Sequence, residues 1–385
     1  MDYRTVKLII NTSNLVKGGG VQVALSFLEE LKEWGPDEYF VFLSTPVANQ
    51  LDLTTFPSNF EFYHFNVSPA RLLTRWRIVR RFNELERRIN PDTIFTVFGP
   101  SYWRPRSPHV MGFALGWAIN PDSIVYTLIN KLALLRWKLL HLHAKHFVKR
   151  DGDFFIGETT EVRERMVQYN WADKNQVFVV GNTCHKAFSD TFEQYEIPIV
   201  PHEFRFITIS AMYEHKNLTI IKDVIPYLRS SKIRCRFYLT LPGNVFEREF
   251  YGCEDMATNI GPISINKCPS VYEQCDALFL PTLLECFSAS YPEAMKMELP
   301  ILTSDLDFAH AICGDAAEYF DPLNPEDIAR RIESLINNSA RRKELVSNGK
   351  KQLATFPSAQ QRARMYLHIC KSFAQPYFTC TSRDH

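Results

Sequence analysis

Short apolar runs alternate along the chain with longer stretches whose apolar residues recur every three or four positions. Val6–Thr12 (VKLIINT) is the first run and reads as a buried strand of a parallel sheet. The loop Ser13–Gly20 follows and ends in Gly18-Gly-Gly20. A helix then runs from Val21 to about Trp34, with Val21, Ala24, Leu25, Leu28 and Leu31 on one face, and Gly35-Pro36 stops it. Strand, glycine-rich loop and helix in that order open a doubly wound α/β unit. The dinucleotide fingerprint GxGxxG is absent, and no acidic residue is placed for a ribose. A tight turn needing positive φ accounts for the glycines equally well.

Further strand-like runs lie at Tyr39–Ser44, Phe60–Val67, Thr93–Phe98, His109–Leu115, Phe154–Gly157 and Val177–Val180. Helical spacing between many of them argues for βαβ units. Asp190–His202 carries Pro198 and Pro201 and reads as a connection. Phe204–Ala211 opens a second unit and is followed by a helix over Leu218–Leu228. A strand at Arg236–Leu241, a short helix at Ser270–Cys275 and a strand at Asp276–Leu280 come next. Helices are expected over Pro325–Asn337, Ser339–Phe356 and Ser358 to about Phe373. The expected division is therefore 1–200, 201–356, and a terminal segment 357–385 whose helix returns to the first domain. The tail from Gln375 is expected to be loosely held.

Two helical stretches are both amphipathic and basic. Arg71–Asn90 places Leu72, Trp76, Val79, Phe82, Leu85 and Ile89 on one side, with most of its six further arginines elsewhere. Ile129–Arg150 mixes Leu132, Leu135, Trp137, Leu139, Leu142 and Phe147 with Lys131, Arg136, Lys138, Lys145, Lys149 and Arg150. Each can pack its apolar side on a sheet, and each can lie on an anionic lipid surface.

Composition narrows the class. The 385 residues, 45% hydrophobic and 23% charged, suit a globular protein of two or three domains. A net charge of +1 argues against a general nucleic-acid binder. Nine scattered cysteines without a CxxC pair read as reduced thiols in cytoplasm. Met1-Asp-Tyr-Arg leads straight into a strand, so no signal peptide is expected. No apolar run reaches the length of a membrane span.

The richest stretch is Pro281–Pro300, PTLLECFSASYPEAMKMELP. The run Ala277–Leu280 ends at Pro281, Pro292 sits in the first turn of the next helix, and Pro300 blocks its continuation. Glu285 and Glu293 flank the helix start. Free N–H groups and the dipole at such a start favour a phosphate, while two carboxylates accept from hydroxyls on either side of it. A phosphate between two polyhydroxyl groups describes a nucleotide-sugar. The same letters also fit a capping box, with Glu293 reaching back to the amide of Ser290.

Glu285-Cys-Phe-Ser-Ala-Ser-Tyr-Pro-Glu293 resembles the Glu-x7-Glu motif of retaining glycosyltransferases of the GT-B fold, most closely family 4 (glycosyl transferases group 1). Glu293-Ala-Met, Leu299-Pro-Ile-Leu-Thr-Ser-Asp305, Gly314-Asp-Ala-Ala and Phe320-Asp-Pro continue the likeness, which runs from about Phe204 to about Asn337. The resemblance implies two Rossmann-like domains with parallel sheets facing an interdomain cleft. It implies transfer of a sugar from a nucleoside-diphosphate sugar to a glycan or lipid-linked acceptor, as in cell-surface polysaccharide synthesis at the inner membrane face. Glu285 would bind the hexose and stabilise the cationic transition state, and Glu293 would bind the ribose. Lys216 and the backbone around Cys286, Phe287, Ser288, Ala289 and Ser290 would hold the diphosphate. Ile263 would border the base. Gly19 and Gly20 would approach the donor, and Gly116 and Trp117 the acceptor. No metal or other cofactor is expected, and Asp305-Leu-Asp307 reads as turn chemistry.

Two positions depart from the resembled pattern. Ala211 stands where family members carry an arginine that contacts the diphosphate, with His215 a possible replacement. Ala114 stands where they carry a histidine, and His109, several residues away, reads as a structural core residue. These departures leave open a non-catalytic partner subunit or another GT-B enzyme, such as a sugar-nucleotide epimerase or a phosphorylase.

Overall fold

The computed structural model describes residues 5–189 and 191–374. The expectation for the tail from Gln375 falls outside the described residues. The chain divides into two compact units, one of residues 1–119, 131–181 and 357–385, the other of residues 120–130 and 182–356.

The first unit is built on a seven-stranded parallel sheet. Its strands are β1 (Lys7–Asn11), β2 (Glu38–Ser44), β3 (Phe60–Phe65), β4 (Thr93–Thr96), β5 (His109–Phe113), β6 (Phe154–Gly157) and β7 (Val177–Val179). Their order across the sheet is β3-β2-β1-β4-β5-β6-β7, so the winding reverses between β1 and β4. Helices covering both faces explain why these strands are apolar runs rather than alternating ones. Leu8, Ile10, Val41, Phe95 and Val110 lie in one buried cluster, which the Gly19–Leu31 helix closes with Ala24, Phe27, Leu28 and Leu31.

The second unit carries a six-stranded parallel sheet of β8 (Phe204–Thr208), β9 (Cys235–Leu239), β10 (Ala257–Asn259), β11 (Ala277–Leu280), β12 (Ile301–Ser304) and β13 (Ala317–Phe320). The order is β10-β9-β8-β11-β12-β13, and here the winding reverses between β8 and β11. The Ile220–Ser230 and Pro325–Asn337 helices cover one face, burying Ile221, Val224, Ile225, Ile328 and Ile332.

The helix Ala359–Ser372 packs in the first unit. A Ser358/Gln361 capping box starts it, Tyr366 lies edge-on to Phe27 at 5.5 Å, and Arg362 Nη2 donates to Ser26 Oγ at 2.8 Å. Two boundaries differ from the sequence expectation. The units divide after Gly181, not at 200, because Phe188 and Ile197 of the proline-bearing connection join a core of the second unit. Residues 120–130 also group with the second unit, where Ser123 Oγ donates to the Leu283 carbonyl at 3.4 Å.

The basic helices run over Leu72–Ile89 and Lys131–Asp151. Phe82, Leu85 and Ile89 of the first are buried as expected, but Leu72 and Trp76 are exposed and Ile78 is buried instead. In the second, only Phe147, Val148 and Asp151 are buried, and Leu132, Leu135, Leu139 and Leu142 face outward.

Candidate functional site

Two loops leave the carboxyl ends of neighbouring strands in the second unit. After β8 the chain makes a single 3-10 turn, Glu214–Lys216, closed by Asn217 in the left-handed region at φ 51°. Asn217 holds this conformation by donating its Nδ2 to the Pro322 carbonyl at 3.0 Å. After β11 the chain passes Pro281 and Thr282 to reach Glu285. The two loops are tied together by Leu283 N, which donates to the His215 carbonyl at 2.7 Å; Thr282 Oγ1 also lies 3.1 Å from that oxygen.

This tie brings Lys216 to Glu285. The ammonium donates to Glu285 Oε1, and Thr282 Oγ1 donates to the same oxygen at 2.9 Å. The pair is largely enclosed, with side-chain exposures of 16% for Lys216 and 11% for Glu285. Among the described residues Oε2 has no donor, so the carboxylate keeps an open acceptor. Strand order places this pair where the winding reverses, between β8 and β11. Open α/β sheets bind ligands outside the carboxyl ends of their strands at that point.

Glu293 lies on the Ser290–Lys296 helix and is buried. No side-chain bond caps this helix, so the capping-box reading does not hold. The Glu293 carboxylate instead accepts from Tyr272 Oη, at 3.3 Å to Oε2. Burial raises its pKa to about 7, against which the Tyr272 hydroxyl works weakly. Oε1 has no partner among the described residues and is not among the sealed polar atoms. Both acids thus present one engaged oxygen and one open one. Cys286 and Ser288 are buried between them, while Phe287, Ala289 and Ser290 are half-buried. Ile263 packs, partly buried, on the adjoining core.

His215 carries no charge here. Burial drives its pKa down to about 4, more than the nearby Glu285 carboxylate raises it, so the ring is neutral at pH 7 and stacks on Tyr213. Lys216 is the cation at this place, and Ala211 beside it is exposed. Asp305 and Asp307 belong to local structure: Asp305 Oδ1 meets His310 Nε2 at 2.6 Å, and Asp307 opens the next helix. Among the described residues no three His, Cys, Asp or Glu side chains are grouped to hold a metal ion.

The remaining candidates lie in the first unit. Gly19 and Gly20 form the first turn of the Gly19–Leu31 helix at the carboxyl end of β1, again where the winding reverses. The glycine that the turn itself requires is Gly18, at φ 77° and ψ −161°. A Cβ on Gly19 would meet nothing within 4 Å, whereas one on Gly20 would touch Leu15 and Phe98 at 3.4 Å. Gly116 and Trp117 open a short helix after β5, and Trp117 stacks on Trp137 at 4.1 Å. Ala114 is exposed just past the end of β5. His109 is fully buried in β5, with its Nε2 on Thr96 Oγ1 at 2.7 Å and its Nδ1 on the Asp151 carbonyl at 2.8 Å. Burial lowers its pKa to about 4, so it is a neutral core residue.

Sequence reasoning missed Tyr272 and Thr282, the two hydroxyls that orient the acids. Tyr272 is one turn of helix in a different segment, and nothing in its local pattern marks it. Thr282, three residues before Glu285, was within reach of the motif.

The chain is similar to known proteins in sequence and in fold. Residues 190–352 match the family described as glycosyl transferases group 1. The chain is 25% identical over 228 residues to the O-antigen chain mannosyltransferase RfbU of Salmonella typhimurium; the match spans 57% of this chain and 56% of that protein. The crystal structure of Anabaena Alr3699/HepE in complex with UDP and glucose superposes with a TM-score of 0.70 at 13% identity, covering 95% of this chain and 100% of that one. WaaG, a glycosyltransferase involved in lipopolysaccharide biosynthesis, gives a TM-score of 0.70 at 12% identity, with 94% and 99% covered. At such identities the likeness shows the fold, which is GT-B.

Proposed function

We propose, from a second unit built around a glycosyl transferases group 1 region, that the protein moves a hexosyl group from a nucleoside-diphosphate sugar to a glycan or lipid-linked acceptor in polysaccharide synthesis. The observation that carries this reading is the meeting of Lys216 and Glu285 at the winding reversal of the second sheet, with the buried Glu293 on the next helix. Glu293 Oε1 accepts from ribose hydroxyls and Glu285 Oε2 from the hexose. Lys216 shares its charge between Glu285 and the diphosphate, and the backbone from Cys286 to Ser290 adds N–H donors. No step in this reading calls on a metal ion.

The transfer proceeds with retention at the anomeric carbon. The bond from that carbon to the phosphate oxygen breaks as the acceptor oxygen bonds to the same face, and the acceptor proton passes to the departing phosphate. Glu285 opposes the developing positive charge on the sugar, and Lys216 the negative charge on the phosphate. Gly19 and Gly20 remain donor-side candidates, and Gly116 and Trp117 acceptor-side ones. The relative named for mannosyl transfer to an O-antigen chain supports a hexose donor and a polysaccharide product. Nucleotide-sugars are made in the cytoplasm, which supports a cytoplasmic site of action.

The competing reading, a non-catalytic partner subunit, draws on Ala211 and on the neutral His215, which leave Lys216 without a second cation. Incubation with a panel of UDP-, GDP- and dTDP-hexoses separates the two. The proposal expects slow hydrolysis of one donor, with the released sugar first appearing in the donor's own anomeric form. Binding without release, or release as the opposite anomer, contradicts it.

A further inference from the structure

The helix Lys131–Asp151 has two apolar sides, and only one is used by the fold. Inward, Trp137 stacks on Trp117, His141 lies edge-on to Trp171 at 5.4 Å, and Phe147 and Val148 are buried. Outward, Leu132, Leu135, Leu139 and Leu142 follow the 3-4-3 spacing of a single stripe and are 57–81% exposed. Leucines in such a row, left in water, mark a surface that is covered in use.

The residues beside the stripe say what covers it. Lys131 and Lys138 border one edge, with Lys145 further along held on the Tyr169 carbonyl at 2.7 Å; Arg136 and His143 border the other, ending at Arg150, which pairs with Asp151. No Asp or Glu occurs from Lys131 to Arg150. In a second copy of this helix, these flanks would face their own like charges in either orientation, and two heptads are short for a coiled coil. A surface of negative charge with an apolar layer beneath it fits both features: leucines enter the layer, and the long cationic side chains reach back to the head groups.

The start of the Leu72–Ile89 helix extends the surface. Leu72, Leu73 and Trp76 are 60–91% exposed, and the first acidic residue of that helix is Glu84. Arg75 joins the two helices, its guanidinium 4.5 Å from the Tyr102 ring and 4.6 Å from the Phe147 ring; Tyr102 in turn contacts His143 at one edge of the stripe. The exposed start of one helix is thereby joined to an edge of the other helix's stripe. No helix among the described residues is long and apolar enough to cross a membrane, so attachment through this face is in-plane. We propose that the leucine stripe, its cationic borders and the exposed start of the Leu72–Ile89 helix dock the protein on an anionic phospholipid bilayer, the inner face of the membrane where a lipid-linked acceptor would lie.

The test is co-sedimentation of the full chain with vesicles of phosphatidylcholine alone and of phosphatidylcholine mixed with phosphatidylglycerol, at low and high salt. The expected result is binding to the anionic vesicles about tenfold or more above the neutral ones, weakened by salt. A Leu135→Ser, Leu139→Ser variant and an Arg136→Glu, Lys138→Glu variant should each lose about tenfold in vesicle binding, with melting temperature and nucleotide binding unchanged. Equal binding to both vesicles, no binding to either, or leucine variants that bind like the parent overturn the proposal. A lipid-free dimer that the leucine variant converts to monomer also overturns it, in favour of self-association. None of these readings depends on donor turnover, so the docking face and the proposed chemistry can fail separately.

Discussion

Lys216 and Glu285 meet although 69 positions separate them, because each belongs to the loop leaving one of two neighbouring strands, β8 and β11. The pair is nearly enclosed, so removing one partner leaves a desolvated charge behind. Lys216→Met and Glu285→Gln should each lower stability by roughly 1–3 kcal/mol. The double variant should cost less than the sum. Turnover should fall by about a hundredfold or more in each single variant, as the departing phosphate loses its cation or the sugar its carboxylate. Denaturant melts and donor-release rates on the four proteins of the cycle check both statements.

Glu293 has its pKa raised to about 7 by burial. Its folded pKa lies above the unfolded one, so the folded state holds the extra proton between about 4.5 and 7, and stability falls as pH rises through that window. Glu293→Gln should therefore flatten the decline and melt higher than the parent at pH 8. Ribose hydroxyls donate best to the ionised acid, so nucleotide affinity should increase from pH 6 to pH 8 and binding should release a proton. Titration calorimetry in buffers of different ionisation heat reads that proton directly.

Tyr272 Oη donates to Glu293 Oε2 and so favours the charged acid. Tyr272→Phe removes the donor and keeps the ring. The midpoint of the pH dependence of nucleotide binding should move upward, with a stability loss of about 1 kcal/mol. An unmoved midpoint would mean that burial alone sets the acid's proton affinity.

His109 is a core residue whose two ring nitrogens are both engaged. Its folded pKa is about 4, below the unfolded value, so its contribution is complete above about 6.5 and is lost as pH falls toward 4. His109→Ala should cost about 2–4 kcal/mol by opening a cavity and stranding the Thr96 hydroxyl and the Asp151 carbonyl. Turnover per folded molecule should be unchanged, which distinguishes it from Lys216 and Glu285.

Gly18 and Gly19 separate backbone need from function. Gly18 holds a φ, ψ pair that is essentially restricted to glycine, so Gly18→Ala should cost about 1–3 kcal/mol. Gly19 is helical with open space at its Cβ, so Gly19→Ala should leave the melt unchanged or slightly raised. If Gly19 approaches the donor, activity falls in that variant without loss of fold.

Much of this architecture was legible in the chain. Runs such as Ile94-Phe95 and Ala277–Leu280 are buried on both faces and therefore read as continuous apolar strands. The Glu-x7-Glu stretch was visible because its spacing is local. What escaped the sequence depends on contacts far apart along it. Tyr272 reaches Glu293 from another helix, and His215 is neutral because the fold encloses it, a state its own neighbours do not reveal. The capping-box reading of Ser290 and Glu293 failed because the Glu293 side chain meets Tyr272 from another helix and does not return to the local amide. The leucines of Lys131–Asp151 read as amphipathic in the sequence, but only the folded structure shows that they are left outside.

The account rests on a nucleoside diphosphate held by Lys216 and Glu293, and calorimetric titration of UDP, GDP and dTDP tests it most directly. One of them should bind in the micromolar range, weakened about tenfold or more by Lys216→Met and again by Glu293→Ala. Binding of none of the three, or equal binding to the parent and both variants, contradicts it.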